Sequence, residues 1–250
     1  LRRIPGESLS IDFQALTFSA KRLQSHQDDA LGLLKQGTAT APAPTSLAES
    51  GSEGWTRAEL RFSVGHRSEP LDITVLTPQR RSNGKLVVIS HGLWDKPGSF
   101  EGWGRLLAAN GYTVLLPSHP GSDADQQQDL LTGVAAPPSS EELRFRPMDV
   151  SALLNGVEAG TLLSGQQISV DDVAVVGHSW GATAALQLSG LQTTSRKLKT
   201  RCQDPRDPDR NLSWVLQCSW LSGADQGSLA DSRVKAAVVV SPPMRLLFDE

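Results

Sequence analysis

Residues 173–186 read VAVVGHSWGATAAL. A short apolar run is followed by a pentapeptide with glycine at both ends and serine at its centre, and then by small residues. This order predicts a strand, a sharp turn and a helix, because glycine lets the backbone bend tightly and a serine pinched between the two elements exposes its hydroxyl. The turn consists of Gly177, His178, Ser179, Trp180 and Gly181. Ser179 is the candidate nucleophile.

The Gly-x-Ser-x-Gly pattern is short enough to arise by chance in a chain with 22 glycines, so an incidental turn is the alternative interpretation. A second segment favours the nucleophile, because the apolar run Lys85–Ser90 leads into His91, Gly92 and Leu93. That loop is where a donor to an oxyanion is expected, and we predict the backbone N–H groups of Leu93 and Trp180 as the pair of donors. An isolated His-Gly pair is also typical of a tight loop with a hydrogen-bonded histidine.

All five histidines precede Ser179 in the chain: His26, His66, His91, His119 and His178. His178 is interpreted as a structural hydrogen-bond partner, because the side chain before the serine points away from it. His119 follows a predicted strand and is kept as a possible substitute base. His91, Trp94 and His119 are the residues predicted to line a pocket.

Tryptophans near the two loops predict an apolar acyl pocket, with Trp94 and Trp180 as its walls. For Trp214 and Trp220, a pocket wall and ordinary core packing are both consistent with the sequence. Core packing is favoured for Trp103, which lies at helical spacing from Leu106 and Leu107.

The composition is that of an ordinary globular chain with one main domain: 250 residues, 38% hydrophobic and 20% charged. A net charge of −3 without a long basic run excludes the electrostatic footprint of a nucleic acid partner. No apolar stretch is long enough to cross a bilayer. The spacing of histidines, cysteines and carboxylates predicts no metal site, and the absence of a glycine-rich phosphate loop predicts no nucleotide cofactor.

Three regions are predicted along the chain. Residues 1–36 carry leucines among polar residues and are expected to form a short helical arm, the tail of an N-terminal region. Residues 37–54 are almost wholly Ala, Pro, Ser, Thr, Gly and Glu, which is typical of a flexible linker. Residues 55–250 alternate predicted strands and helices and form the main domain.

Within the main domain, the predicted strands begin with an antiparallel hairpin at a sheet edge, Thr56–Val64 and Leu71–Thr77. Four short apolar runs predict parallel strands covered by helices on both faces: Lys85–Ser90, Tyr112–Leu116, Val173–Val176 and Val234–Val240. The predicted helices are Ser99–Asn110, Met148–Leu163 and Gly181–Leu191. The fold class is α/β, with a doubly wound, mostly parallel sheet. Residues 121–146 and 192–231 break the alternation, and the second segment is predicted to be a lid-like insert.

Cys202 and Cys218 are the only cysteines and both lie in the predicted insert. A disulfide between them would imply export or a periplasmic location, whereas two separate thiols would fit a reducing compartment. The sequence leaves both alternatives open.

The motifs together resemble a known family, the serine α/β-hydrolases related to platelet-activating factor acetylhydrolase and dienelactone hydrolase. Bacterial members of this group carry a helical N-terminal region of unassigned function. The resemblance rests on four segments that span about half the chain: Ile89-Ser90-His91-Gly92-Leu93, Ser118-His119-Pro120-Gly121-Ser122-Asp123, Arg146-Pro147-Met148-Asp149-Val150 and Gly177-His178-Ser179-Trp180-Gly181.

The resemblance implies hydrolysis of small or lipid acyl esters, with Ser179 as nucleophile and the Leu93 and Trp180 amides as oxyanion hole. The family carries its triad in the order serine, acid, histidine. In the acetylhydrolase the acid follows the strand after the nucleophile helix, and that position corresponds to Ser241 here. The dienelactone-type arrangement places both acid and histidine beyond Glu250, with Asp249 as a fallback for the acid. The chain is therefore expected to be an internal piece of a longer polypeptide and to be inactive as a fragment.

Two other functions remain open. A non-catalytic scaffold that uses an apolar cleft for binding or assembly would also explain why no histidine follows Ser179. Acyl transfer or thioester cleavage would use the same nucleophile and the same donors, so the sequence does not separate it from ester hydrolysis.

Overall fold

The computed structural model describes residues 54–204 and 217–248, together with helical positions 17, 21, 24, 25, 27–29 and 32. Most of the predicted arm, nearly all of the predicted linker and the middle of the predicted insert lie outside these residues. Trp214 and Asp249 also lie outside them.

The sheet has six strands in the order β1-β2-β4-β3-β5-β6. β1 and β2 form an antiparallel hairpin, β2 pairs antiparallel with β4, and the pairs β3/β4, β3/β5 and β5/β6 are parallel. The strands are β1 (Trp55–Phe62), β2 (Leu71–Pro78), β3 (Lys85–Ser90), β4 (Thr113–Pro117), β5 (Ser169–His178) and β6 (Val234–Val240). The edge hairpin and the mostly parallel sheet predicted from the sequence are confirmed.

Helices cover both faces of the sheet. They are α1 (Glu101–Ala109), preceded by a 3-10 turn at Pro97–Phe100, α2 (Ala124–Thr132), α3 (Glu142–Glu158), α4 (Trp180–Leu188) and α5 (Arg196–Arg201). On one face, α3 and α4 pack on alternate strand residues such as Val88 and Val175. On the other face, residues before and within α1 pack on Val87 and Ile89. Consecutive residues of a strand therefore pack on opposite faces of the sheet, as expected when helices cover both faces.

The segment 121–146 contains helix that its polar composition did not predict. α2 begins after Asp123, whose side chain accepts a hydrogen bond from the Gln126 N–H, and ends at Gly133, which has a φ of 77°. Asp123 and Gly133 are recognisable in the sequence as helix start and stop signals, but the helix between them lacks a strong apolar stripe.

α3 begins at Glu142, six residues before the predicted start, and runs through Pro147. Proline is tolerated in the first turn of a helix and disrupts helix interiors, so Pro147 is a local signal against the longer helix. The residues before it are held instead by tertiary contacts: Leu143 packs in a buried apolar cluster, and Glu142 and Arg146 are buried in a polar network.

The prediction that the final strand is buried on both faces is wrong among the described residues. Only Val234 of β6 is fully buried, and Val238 is 51% exposed. β6 is the last strand of the described sheet, so one of its edges pairs with β5 and the other has no described partner. The packing predicted for Trp103 is also wrong: this side chain is 44% exposed and contacts Phe100 edge-on.

The described parts of the insert pack against the beginning of α4. Leu198, Trp220 and Ala224 are buried in one apolar cluster with Trp180 and with residues 244–248. Cys202 and Cys218 form a disulfide that closes this segment. Among the described helices, none combines the length and apolar character needed to cross a membrane.

Candidate active site

Ser179 lies at the junction between β5, which ends at His178, and α4, which begins at Trp180. Its φ of 53° and ψ of −114° fall outside the conformations that residues other than glycine usually adopt. The Ser179 N–H donates to the carbonyl of Val240, at 2.9 Å, which ties the turn to the end of β6. The structure thus shows a strained backbone at the predicted nucleophile, and such strain clusters at functional sites.

Both glycines of the turn are required by sterics. A Cβ on Gly177 would overlap the backbone of Gly181, and a Cβ on Gly181 would overlap the carbonyl of Ser90 at the end of β3. The turn is therefore compressed against itself and against the neighbouring strand. Only residues without a side chain fit at these two positions.

The loop after β3 lies directly against the turn. A Cβ built on Gly92 would be 3.2 Å from the Ser179 Cβ and 3.2 Å from Nδ1 of His178. The two segments predicted from separate motifs are therefore in contact in the folded chain.

The two backbone groups predicted as oxyanion donors have free hydrogen-bonding capacity. Trp180 is the first residue of α4, so its N–H has no carbonyl one turn earlier within the helix. Within the described part of the chain, the Leu93 N–H makes no backbone hydrogen bond in a turn or loop. Among the described residues, neither N–H donates in a turn or loop backbone hydrogen bond.

Trp94, beside the loop, is held in a left-handed backbone conformation with a φ of 58°. Its N–H donates to the carbonyl of Ser122 at 2.9 Å, and its indole Nε1–H donates to Oε1 of Gln126 at 2.7 Å. These two bonds fix both the backbone and the ring. Trp94 is half-buried, as a pocket wall would be.

Trp180, which was predicted as a pocket wall, packs in an apolar cluster. It is buried and packs edge-on against Trp220, with ring centroids 4.5 Å apart. The Trp220 indole N–H donates to the Pro138 carbonyl at 3.3 Å. For Trp220 the structure shows buried packing against the ring of Trp180.

His91 and His119 are buried in a polar network rather than exposed in a pocket. The His119 N–H donates to Nε2 of His91 at 3.1 Å, so His91 carries its proton on Nδ1 and donates to the Gly92 carbonyl at 2.7 Å. Nδ1 of His119 donates to Asp149 at 2.7 Å, and Ser90 Oγ is 2.9 Å from its Nε2. Burial, followed by the charge of Arg146, lowers the pKa of both histidines, so both are neutral.

The remaining described histidines are not placed as bases either. Among the described residues, Nδ1 of His178 is buried and has no hydrogen-bond partner, so the structural bonding predicted for this residue is not found at that atom. The ring packs instead against Phe100, at a centroid distance of 5.4 Å. Nε2 of His66 donates to Asp149 at 2.7 Å. With both nitrogens of His119 bonded, its predicted role as a substitute base loses its support.

Asp149 is the centre of the network and accepts hydrogen bonds from three side chains. They are His66, His119 and Arg67, whose Nε and Nη2 each approach an Asp149 oxygen at 2.7 Å. Burial works to raise the pKa of Asp149, but these donors outweigh it and hold the pKa well below its usual range. Asp149 is therefore an ionised, saturated carboxylate.

Arg67 and Arg146 carry the positive charge of the network. Arg67 donates to Asp149, to the Pro120 carbonyl and to Glu142, at 2.9 Å for the Nη1–Oε1 pair. Although burial opposes the charged form of Arg67, bonds to Asp149 and Glu142 raise its pKa. Arg146 reaches the carbonyls of the loop after β3. The sequence motif around Arg146 and Asp149 contributed to the resemblance, but no pattern indicated that these residues meet the loop.

Ser241, the position at which the resemblance to the acetylhydrolase implies an acid, lies directly after β6 with a φ of 50°. It carries no carboxylate. Within the described ranges there is no group of three His, Cys, Asp or Glu side chains arranged to hold a metal ion.

A six-stranded, mostly parallel sheet with a serine on a strained turn after strand β5 defines the α/β-hydrolase fold. The sequence profile of the alpha/beta hydrolase family matches residues 86–249, well over half of the chain. This protein therefore belongs to the alpha/beta hydrolase family.

Two solved structures are similar to the chain. A ferulic acid esterase from Streptomyces cinnamoneus is 17% identical with a TM-score of 0.41, and the match covers 58% of this chain and 56% of that one. A bacterial heroin esterase is 19% identical with a TM-score of 0.38, covering 64% of this chain and 44% of that one. The chain thus matches about half the length of each. A comparison with curated protein sequences finds no match.

Proposed function

We propose that the protein is a serine hydrolase that cleaves carboxylic esters through an acyl-enzyme on Ser179. The observation that carries the proposal is the strained backbone of Ser179 at a strand-to-helix turn, in contact with the loop that follows β3. Backbone strain of this kind persists only where the surroundings impose it, and a strand-to-helix turn of this type exposes the serine hydroxyl.

In the proposed reaction, Ser179 Oγ attacks the ester carbonyl carbon and its proton passes to a general base. The carbonyl oxygen becomes an oxyanion that accepts from the Leu93 and Trp180 N–H groups. Collapse expels the alcohol and leaves an acyl-serine, which water then hydrolyses. Backbone donors suit this role because they are fixed before the charge develops.

The base and its carboxylate partner are supplied from outside the part of the chain that the structure describes. Each described histidine is either bonded at both nitrogens, engaged with Asp149 or packed beneath the turn. A non-catalytic scaffold, the alternative function, would have no such base and carboxylate, whereas an enzyme needs both.

The tryptophans support an apolar acyl group as part of the substrate. Trp94 lies in the loop after β3 and is half-buried, and the resemblance to the acetylhydrolase and dienelactone hydrolase group favours acetyl or lipid esters. Residues 55–250 would form the hydrolase domain, with 192–231 as a lid-like insert, 37–54 as a linker and 1–36 as an arm. The disulfide supports an exported or periplasmic protein.

The test is labelling of the protein, expressed from its full open reading frame, with a fluorophosphonate. We expect one covalent adduct on Ser179, lost in Ser179→Ala. Ser189→Ala is the matched control, because Ser189 lies at the far end of α4 and donates to the Ala185 carbonyl. Absence of labelling in a folded wild type would contradict the proposal and support the scaffold.

A further inference from the structure

The largest fully buried side chain of the described protein is Arg146, which is only 2% exposed. Its Nη1 donates to the His91 carbonyl at 2.5 Å and its Nη2 to the Gly92 carbonyl at 3.2 Å. One guanidinium therefore holds two successive carbonyls of the loop after β3.

The peptide bond is planar and trans, so the C=O of one residue and the N–H of the next point in opposite directions. Fixing the Gly92 carbonyl therefore fixes the direction of the Leu93 N–H, away from Arg146. The His91 ring adds a second donor to the same carbonyl, at 2.7 Å. Gly92 also lies against Ser179, so the peptide group that Arg146 holds is next to the candidate nucleophile.

We propose that Arg146 is a positioning residue that aims the Leu93 N–H at the oxyanion formed on Ser179. The inference deepens the proposed hydrolase function and rests on it. Arg146 itself touches neither the serine nor the substrate.

The guanidinium is anchored on its other side. Its Nε donates to Ser122 Oγ at 3.0 Å, and its Nη2 also donates to the Ser122 carbonyl at 3.1 Å. Ser122 Oγ in turn donates to Glu142 at 2.6 Å. A planar fork with five donors can satisfy this set of acceptors at once, whereas a lysine ammonium cannot.

Arg146 also contacts the side chain of Trp180, the residue whose backbone N–H is the second donor of the proposed oxyanion hole. Its Cζ lies 5.6 Å from the ring centroid of Trp180. The loop and the start of α4 are therefore braced by the same cation. Although burial lowers the pKa of Arg146 to about 10, the group stays charged at neutral pH.

The experiment compares Arg146→Lys with Arg67→Lys. Arg67 is a matched control because it is also buried and belongs to the same network, yet it bonds to Asp149, Glu142 and Pro120 and not to the loop carbonyls. Both variants should unfold at a lower temperature than the wild type. Only Arg146→Lys should lower kcat for a p-nitrophenyl ester, about 10- to 100-fold with KM within about threefold, because a misdirected donor loses part of the 10²- to 10³-fold effect of a full oxyanion donor.

Hydrogen exchange of the peptide covering residues 89–95 provides a readout that does not need catalysis. Exchange should accelerate in Arg146→Lys and stay near wild type in Arg67→Lys. If Arg146→Lys does not fold, Ser122→Ala replaces it, because that change removes the acceptor of Arg146 Nε and should accelerate exchange in the same peptide.

Equal losses of kcat in the two lysine variants, or unchanged exchange around residue 93, would overturn the positioning role while Ser179 labelling remained intact. Failure of the hydrolase proposal looks different: the wild type would not be labelled, although exchange would still respond to Arg146→Lys.

Discussion

The turn after β5 and the loop after β3 each supply one backbone N–H to the proposed site, yet different physical forces hold them. The turn is held by steric compression: glycines at 177 and 181 lie where any Cβ would overlap backbone. The loop is held by buried charge, with Arg146 bonded to the carbonyls of residues 91 and 92. Local sequence specifies the first, and a residue more than fifty positions away holds the second.

Because the turn and the loop are held by different forces, we expect different changes to disrupt them. A compressed turn is sensitive to added atoms, because the close approach of backbone atoms defines its shape. A loop held by buried charge tolerates some changes in volume but depends on every group of the network remaining in its ionisation state. Mutations and acid should therefore separate the two regions.

The largest effect is expected for Gly181→Ala. The new Cβ would push α4 away from the Ser90 carbonyl and displace Ser179, so we expect labelling to slow by about 100-fold or more and stability to fall by about 1–3 kcal/mol. Labelling kinetics and urea unfolding measure the two losses.

The control for this change is Gly102→Ala in α1, where a Cβ meets nothing within 4 Å. This variant should gain about 0.5–1 kcal/mol, because alanine is the better helix former. A fully active Gly181→Ala would show that the turn is not sterically compressed.

Acid should weaken the loop before it affects the turn. The folded-state pKa values of His91 and His119 lie below the unfolded value of about 6.5, so the unfolded chain takes up protons first as the pH falls. Their contribution to stability is complete above about pH 6.5 and declines below it. Asp149, whose pKa is also depressed, adds a second loss below about pH 4.

We therefore expect the Tm to fall by on the order of 10 °C between pH 7.5 and pH 4.5, which differential scanning calorimetry measures. In His91→Asn, unfolding should take up about one proton fewer than in the wild type. The Tm should therefore fall less steeply over the same pH range. A Tm that rises as the pH falls from 7.5 to 5.5 would contradict the assignment of neutral buried histidines.

The smallest effect is expected for Leu93→Ala. The proposed donor is the backbone N–H, so truncating the half-buried side chain keeps the donor and should change the labelling rate by about threefold or less. Leu93→Pro is the comparison variant. Proline removes the backbone N–H, so this change should slow labelling by 100-fold or more. Equal rates in the two variants would remove Leu93 from the oxyanion hole.

Much of the scaffold was predictable because its signals are local. β3 and β6 have their predicted bounds, and the hairpin at the sheet edge follows from alternating residues separated by turn residues. The exposure of β6 in the described sheet was not predictable, because an apolar run has the same appearance whether or not its faces are covered. The early start of α3 was missed for a related reason: tertiary contacts of Glu142 and Arg146 outweighed the local signal of Pro147.

For the site, the turn around Ser179 could be read from five consecutive residues, because glycine spacing encodes steric constraints directly. The contact of Gly92 with Ser179, the burial of His119 and the reach of Arg146 to the loop depend on where separate segments meet in space. Hydrogen bonds and ion pairs act over a few ångströms between residues far apart in the chain, and only the folded structure brings those residues within that range.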